Sequence, residues 1–420
     1  MRALGIDCGT SGLRAALVDS AGEPIAASAV RFPSGSERDP NSWRAALHEA
    51  LALLADEADP AQAEAIAIDG TSGTLVALNG EGAPIAASPY DERAEAEDLA
   101  AVARAAPADS PTRGSTSPLA RARSLARRYN PVRLVHQADW LAAGLHGGTP
   151  VADENNALKT GYDPITRCWP GWVARVLDPA LLPPVVAAGE PIGTIGDRVA
   201  RQTGLRVGAM VVAGTTDSCA AFLAAGATEA GEGVTSLGST LAVKLLSPRA
   251  VADFARGVYS HRIAGSWLAG GASNTGGAVL ARFFDPETIV RLSERIDPLR
   301  ASGLDYYPLL APGERFPRND PSLSPQLEPR PDDDALFLQG LMEGIARVEA
   351  EGYQALADLG APPLRSVRTT GGGARNPAWT VIRARILGVP VLPARSEQAA
   401  VGAARLALAA LMRAPPPLRS

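Results

Sequence analysis

The sequence predicts an α/β protein of two related lobes, each with helices against a mixed sheet. Three observations lead there. Short apolar runs bounded by Gly, Asp and Asn alternate with longer Ala/Leu/Arg segments, the pattern of strands interleaved with helices. Both halves carry a strand, a hydroxyl-rich glycine turn and a further strand, around Asp7–Gly12 in the first and Val234–Thr240 in the second; such self-similarity marks a repeated unit. The length, 420 residues, suits two domains of ordinary size.

The elements follow in order. Ala3–Ile6, Leu13–Val18 and Ile25–Val30 read as a meander, with turns at Asp7–Gly12 and Asp19–Pro24. Residues 43–58 are helical by period, with Trp43, Leu47, Leu51 and Leu54 on one stripe. Ala65–Ile68 begins another strand, then Gly70–Gly73 and Leu75–Leu78. The arginines between Arg113 and Arg133 are interleaved with Ala and Leu at helical spacing, a solvated helix face. Small residues cluster at Ala224–Glu232, so the boundary is placed there: 1–226 with 398–420 in one lobe, 227–397 in the other. Pro312–Asp334 reads as a long surface loop, and Gln398–Met412 as an Ala/Leu helix returning to the first lobe.

Composition narrows the class. Hydrophobic residues are 46% and charged residues 20%, with net charge −5; this fits a globular protein and argues against a nucleic-acid surface, which is strongly basic. Three scattered cysteines and four histidines form no metal-ligand spacing, so no zinc site is expected. No apolar run approaches the roughly 18 residues of a membrane span, and the N-terminus lacks a signal-peptide core. A cytoplasmic protein without a membrane partner is expected.

Several loops carry candidate chemistry. In Asp7-Cys8-Gly9-Thr10-Ser11-Gly12, glycine admits close backbone approach, and successive N–H groups with two hydroxyls form an anion nest. Asp7, ending a strand, is suited to hold Mg²⁺ through water. Ile68-Asp69-Gly70-Thr71-Ser72-Gly73 echoes that turn. Tight strand connections alone select such residues; the other reading is two hydroxyl-rich loops facing one cleft. Leu237-Gly238-Ser239-Thr240 is the counterpart in the second half. Gly214-Thr215-Thr216-Asp217 ends an apolar strand ahead of a helix; Asp217 is either an ordinary N-cap or a general base. Two glycine-rich turns, Gly270–Gly277 and Gly371–Asn376, stand between a strand and a helix, where glycine serves either tight strand–helix packing or a flat nucleotide base lying against backbone. The P-loop pattern, the GxGxxG fingerprint and protein-kinase signatures are absent.

Taken together, Asp7–Gly12, Tyr90–Arg93, Gly214–Asp217, Ser236–Thr240, Gly313–Arg315 with Asn319–Pro321, and Gly371–Asn376 resemble the FGGY carbohydrate kinases in order and spacing over nearly the whole chain. The runs Ile68–Thr74, Gln137–Trp140, Asn156–Lys159 and Ser302–Pro308 resemble the short cyanobacterial and plant D-ribulokinases, which are xylulokinase-like. The resemblance implies two ribonuclease-H-like lobes of the actin-like ATPase type with a central cleft, the first binding sugar and the second nucleotide. It makes Asp217 the catalytic base and a substrate contact, and Asp7 the metal-associated carboxylate. Gly9, Thr10 and Ser11 form one phosphate loop, Gly238, Ser239 and Thr240 the other. Gly276, Gly372, Gly373, Asn376 and Trp379 face adenosine; Gly12, Arg14, Ser72, Asp91 and Arg93 face the sugar. ATP and Mg²⁺ are the implied cofactors, a ketopentose the small-molecule partner, and the chain a monomer or homodimer.

The implied reaction is transfer of a phosphoryl group from ATP to the terminal hydroxyl of D-ribulose, giving D-ribulose 5-phosphate. D-xylulose and other polyols are the alternatives. An actin-like ATPase without a sugar acceptor is the rival from another class, and a catalytically silent sugar-binding regulator is a third.

Overall fold

The structure, a computed structural model, describes residues 1–108 and 110–413. Two compact units divide the chain: one comprises Met1–Ala224, His261–Gly265 and the chain from Gln398 onward, the other Ala225–Ser260 and Ser266–Glu397. Placing all of 227–397 in one lobe therefore requires a correction at His261–Gly265. Asn155 holds that segment in the first unit: its Nδ2 donates to the Arg262 carbonyl at 2.7 Å and its Oδ1 accepts from the Arg262 N–H at 2.9 Å. Among the described residues no helix is long and apolar enough to cross a membrane.

The first unit is built on a seven-stranded sheet. Its order runs Pro191–Thr194, Met210–Val212, Ala65–Gly70, Ala3–Cys8, Gly12–Val18, Pro24–Arg31, with Thr215–Thr216 also paired to Ala65–Gly70. Ala3–Cys8 is antiparallel to Gly12–Val18 and parallel to Ala65–Gly70. Alternation along these strands sorts residues by size. Leu4, Ile6, Ile66 and Ile68 face a core that includes Trp43, Leu47, Leu51 and Leu54 of the helix Pro40–Leu54. That helix starts at Pro40 behind Asp39, whose carboxylate accepts from the Asn41 N–H. Ala3, Ala65 and Ala67 face Ala400, Ala403, Ala404 and Ala407 of the helix Ala399–Arg413. Small residues let that helix approach closely: a Cβ at Gly5 would stand 1.9 Å from the Ala400 carbonyl oxygen.

In the second unit, Ser266–Ala272, Leu241–Ser247, Glu232–Leu237, Ser366–Thr370 and Val391–Pro393 are neighbours in that order. The helices Asp334–Asp358 and Pro377–Leu387 supply Leu338, Leu341, Ile345, Trp379 and Ile382 to a core that also takes Leu237. A fully buried ion pair ties sheet to helices. Arg383 donates from Nε and Nη2 to the two Glu349 oxygens, both at 2.7 Å, and from Nη1 to Thr369 Oγ1 at 2.7 Å. Thr235 donates to Glu349 and shares a hydrogen bond with the Tyr353 hydroxyl.

Two sequence expectations change. Pro312–Asp334 is not all surface: Glu314 and Phe316 are buried. Glu314 accepts from Ser273 Oγ, the Asn274 N–H and the Tyr307 hydroxyl, so its carboxylate fixes the glycine-rich turn at 270–277. Nor are the arginines of the helix Pro118–Tyr129 uniformly solvated. Arg121 is buried and donates to the carbonyls of Ser88 and Gly73 at 2.8 and 2.6 Å; burial lowers its pKa to about 10.

Candidate functional site

In the first unit the strand ends bring carboxylates together. Register aligns Asp7 with Asp69 on adjacent parallel strands and Asp69 with Thr215 on the next. Asp217 opens the helix Asp217–Ala225 two residues later, half-buried, with Oδ1 accepting from the Ser218 N–H at 2.6 Å. The crossing before it demands glycine: a Cβ at Gly214 would lie 1.7 Å from the Ile68 carbonyl oxygen. Sequence thus sets the height at which Asp217 leaves the sheet.

Asp69 is fully buried, and among the described residues neither of its oxygens has a hydrogen-bond partner. Burial, then the charges of Asp7 and Asp217, push its pKa well above the ordinary carboxylate range, which favours the protonated form. Asp7 is also raised by burial, against the pull of Arg14. Arg14 stands directly across the antiparallel pair from Asp7 and reaches Oδ2 at 3.4 Å. This carboxyl pair, to which Arg14 donates at Asp7, suits a hard cation bound through water.

The buried proton has a stability consequence. An unfolded Asp titrates near pH ~3.9, so above that the native state holds the extra proton and stability falls as pH rises toward the native pKa. Asp69→Asn removes the group that titrates. Thermal unfolding at pH 8 should show the variant more stable than wild type, with the difference vanishing near pH 4. Equal stability at both pH values would contradict the assignment of a buried proton.

Beside these carboxylates is a pocket of about 60 Å³ lined by Gly9, Thr10, Thr71, Tyr90, Asp91 and Gln137, among others. The turn at 9–12 is closed by the Gly9 N–H to the Gly12 carbonyl at 3.0 Å, which leaves Thr10 and Ser11 exposed at its tip. Gln137 Oε1 accepts from the Thr71 N–H and hydroxyl, and Thr74 Oγ1 accepts from the Tyr90 N–H. Among the described residues Ser72 Oγ has no hydrogen-bond partner. Asp91 is ion-paired with Arg38 at 3.2 Å, and Arg93 is exposed. The structure therefore gathers Gly9, Thr10 and Asp91 in one pocket; Gly12, Arg14, Ser72 and Arg93 are not part of its lining.

In the second unit, three glycine turns converge on one hairpin. Gly238–Thr240 joins the antiparallel strands Glu232–Leu237 and Leu241–Ser247, with Ser239 and Thr240 exposed. Gly276, at φ 149°, packs so tightly there that a Cβ would stand 2.6 Å from the Ser239 carbonyl oxygen, and the Gly277 N–H donates to the Gly238 carbonyl at 2.8 Å. Gly371, at φ 88°, abuts the Leu237 carbonyl, and Gly373 abuts the Leu237 side chain. Gly372, by contrast, faces open space. Asn376 caps the helix Pro377–Leu387, Oδ1 accepting from the Trp379 N–H while Nδ2 donates to Ser293 Oγ.

Trp379 requires correction. Its ring is 2% exposed in the core and its Nε1–H donates to the Met342 carbonyl, so it offers no face to a base. As the third residue of its helix it points inward, a direction that proximity to the glycine turn did not reveal. Four residues were missed by sequence reasoning. Asp69 was legible in the echo with Asp7. Gln137, Arg38 and Arg121 act across long sequence separations, and only topology brings them to the loops at 71–74 and 88–91.

Residues 233–411 match the model of the FGGY family of carbohydrate kinases, C-terminal domain. A xylulose kinase of Streptomyces coelicolor is 31% identical over 429 residues, covering 96% of this chain and 86% of that relative. Among solved structures, a xyloylose kinase from Brucella ovis superposes with TM-score 0.84 at 25% identity, covering 99% of this chain and 92% of that one. A xylulose kinase from Rhodospirillum rubrum shares the fold, with TM-score 0.83 at 23% identity over 97% and 89% of the two chains. The fold is the two-lobed, actin-like α/β architecture of sugar kinases. With a full-length relative above 30% identity and a family match across the second unit, the chain belongs to the FGGY family of carbohydrate kinases.

Proposed function

We propose that this sugar kinase transfers the γ-phosphoryl group of ATP to the terminal hydroxyl of a ketopentose, D-ribulose foremost, with Asp217 as general base. The observation that carries the reading is the carboxylate row Asp7, Asp69, Asp217 at the sheet ends, next to a hydroxyl-lined pocket. In the reaction Asp217 takes the hydroxyl proton, the sugar oxygen bonds to the γ-phosphorus, and the bond from that phosphorus to the bridging oxygen breaks to release ADP. The transition state is loose, so positioning and charge neutralisation supply most of the rate. Gly9–Ser11 and Gly238–Thr240 are assigned to the phosphates, Gly276, Gly372, Gly373 and Asn376 to adenosine, and Ser72, Asp91 and Arg93 to the sugar. Ser72 keeps its assignment by position, with a buried hydroxyl that has no partner among the described residues. Asp91 must exchange Arg38 for a ligand. Arg14 serves by holding Asp7. Mg²⁺ would be held by Asp7 through water, and when bound it neutralises phosphate charge.

Nucleotide placement has its own test. A Cβ at Gly372 meets no atom within 4 Å, so Gly372→Ala leaves folding intact while occupying space assigned to adenosine. The Michaelis constant for ATP should rise at least about fivefold, the ratio for roughly 1 kcal/mol, with the constant for sugar nearly unchanged. An unaltered ATP constant contradicts the assignment.

D-ribulose rests on the runs Ile68–Thr74, Gln137–Trp140, Asn156–Lys159 and Ser302–Pro308. D-xylulose is the second reading, favoured by relatives that bear the name xylulose kinase. One or two hydrogen bonds separate these epimers. Coupled ADP-release assays across pentuloses, pentitols and glycerol decide: kcat/KM is expected highest for D-ribulose. A higher value for D-xylulose makes this a xylulose kinase; a higher value for glycerol removes the ketopentose reading.

A further inference from the structure

We infer that a second pocket on the first unit, sharing no residue with the site above, binds a phosphorylated polyol. It has a volume of about 390 Å³ and is lined by Glu154, Arg167, Glu190, Arg262, Ala264 and Arg413, with small residues between them. That volume accommodates a sugar-phosphate-sized ligand.

Charge specifies one end of the ligand. Three guanidinium groups face two carboxylates. Arg167 and Glu190 are about half exposed and only loosely paired, at 3.7 Å. Arg413 spends one N–H on the Gly189 carbonyl at 3.2 Å. Guanidinium forks of this kind match phosphate oxygens.

Glu154 specifies the other end. Its side chain is 1% exposed, its Oε2 makes no hydrogen bond among the described residues, and the Arg262 guanidinium lies 3.8 Å from it, beyond hydrogen-bond reach. Buried polar atoms without partners are rare and call for a ligand or an explanation. Burial also pushes the Glu154 pKa up to about 7, against Arg262 and Arg167. Such a carboxyl donates to or accepts from a hydroxyl. It would repel a bare phosphate placed against it, so the anionic group and the group on Glu154 must be different parts of one molecule. A nucleotide fits less well, because the rest of the lining is Ala, Gly and Pro, with no aromatic face for a base.

Two of the lining residues sit in turns. Arg167 and Ala264 adopt left-handed φ values of 54° and 49°, conformations that cost non-glycine residues energy and persist where their surroundings enforce them. Arg262 is unsuitable for mutation, because its backbone is clamped by Asn155, which also donates to Thr215 Oγ1 on the strand leading to Asp217.

Calorimetric titration of the full chain with ribose 5-phosphate, ribose and inorganic phosphate tests this. Ribose 5-phosphate, an aldose phosphate, is not a product of the reaction proposed above, and the readout is heat rather than turnover. Wild type is expected to bind it with a dissociation constant below about 1 mM, at least about tenfold tighter than inorganic phosphate, and ribose weakly. The double variant Arg167→Gln/Arg413→Gln, changed only at exposed side chains, should lose at least about tenfold in affinity with basal kinase activity unchanged. Glu154→Gln should reduce the preference for ribose 5-phosphate over phosphate. Absence of binding to wild type, undiminished binding to the double variant, or equal affinity for phosphate and ribose 5-phosphate each overturns the inference.

Discussion

Asp217→Ala is expected to lower kcat by about 10²–10⁴-fold, the usual worth of a positioned general base, while the Michaelis constant for ATP stays near its wild-type value. The carboxylate opens a helix, where the macrodipole favours its ionised form, so it is ready to take a proton. The side chain is half-buried, and its charge is among those that push up the pKa of Asp69. Loss of turnover at unchanged or higher thermal midpoint therefore separates a catalytic role from a structural one. Near-normal turnover would refute the assignment, and a large drop in midpoint would make Asp217 a structural cap.

Arg383→Ala is expected to destabilise the second unit by about 3–5 kcal/mol, as for other buried ion pairs that lose one partner. Burial works against the charge on Arg383, but Glu349 outweighs it and holds the guanidinium above its usual range. Without Arg383, Glu349 is fully buried and keeps only Thr235 as its donor among the described residues. The same loss frees Thr369 on the strand that leads to Gly371. Arg383→Met/Glu349→Leu should recover most of the stability, because apolar replacement of a whole buried pair is often neutral or better. Denaturant unfolding of the single and double variants measures this. If the double variant is as unstable as the single one, packing rather than an orphaned charge is responsible.

The local physics of this chain was legible in its sequence. Leu4, Ile6, Ile66 and Ile68 alternate with Ala3, Gly5, Ala65 and Ala67, and that alternation decides which face meets which helix. The hairpin turns at 9–12 and 238–240 are written in Gly, Ser and Thr. What stayed hidden depends on long-range geometry. Arg121 looks like its solvated neighbours until the fold seats it under Gly73 and Ser88. Glu314 sits in a Pro- and Asp-rich stretch that gives no sign of burial. Asp91 read as a free sugar ligand, whereas Arg38, distant in sequence, already occupies it. Trp379 was misassigned because composition near a glycine turn does not tell which way a helical side chain points.

Product analysis by phosphorus NMR, with ATP·Mg²⁺ and D-ribulose at equal concentration, reaches the central claim most directly. A kinase whose Asp217 takes the proton of a sugar hydroxyl forms one equivalent of pentulose 5-phosphate for each ADP, with little inorganic phosphate. ADP accompanied only by inorganic phosphate, with no sugar ester from any pentulose supplied, would contradict it.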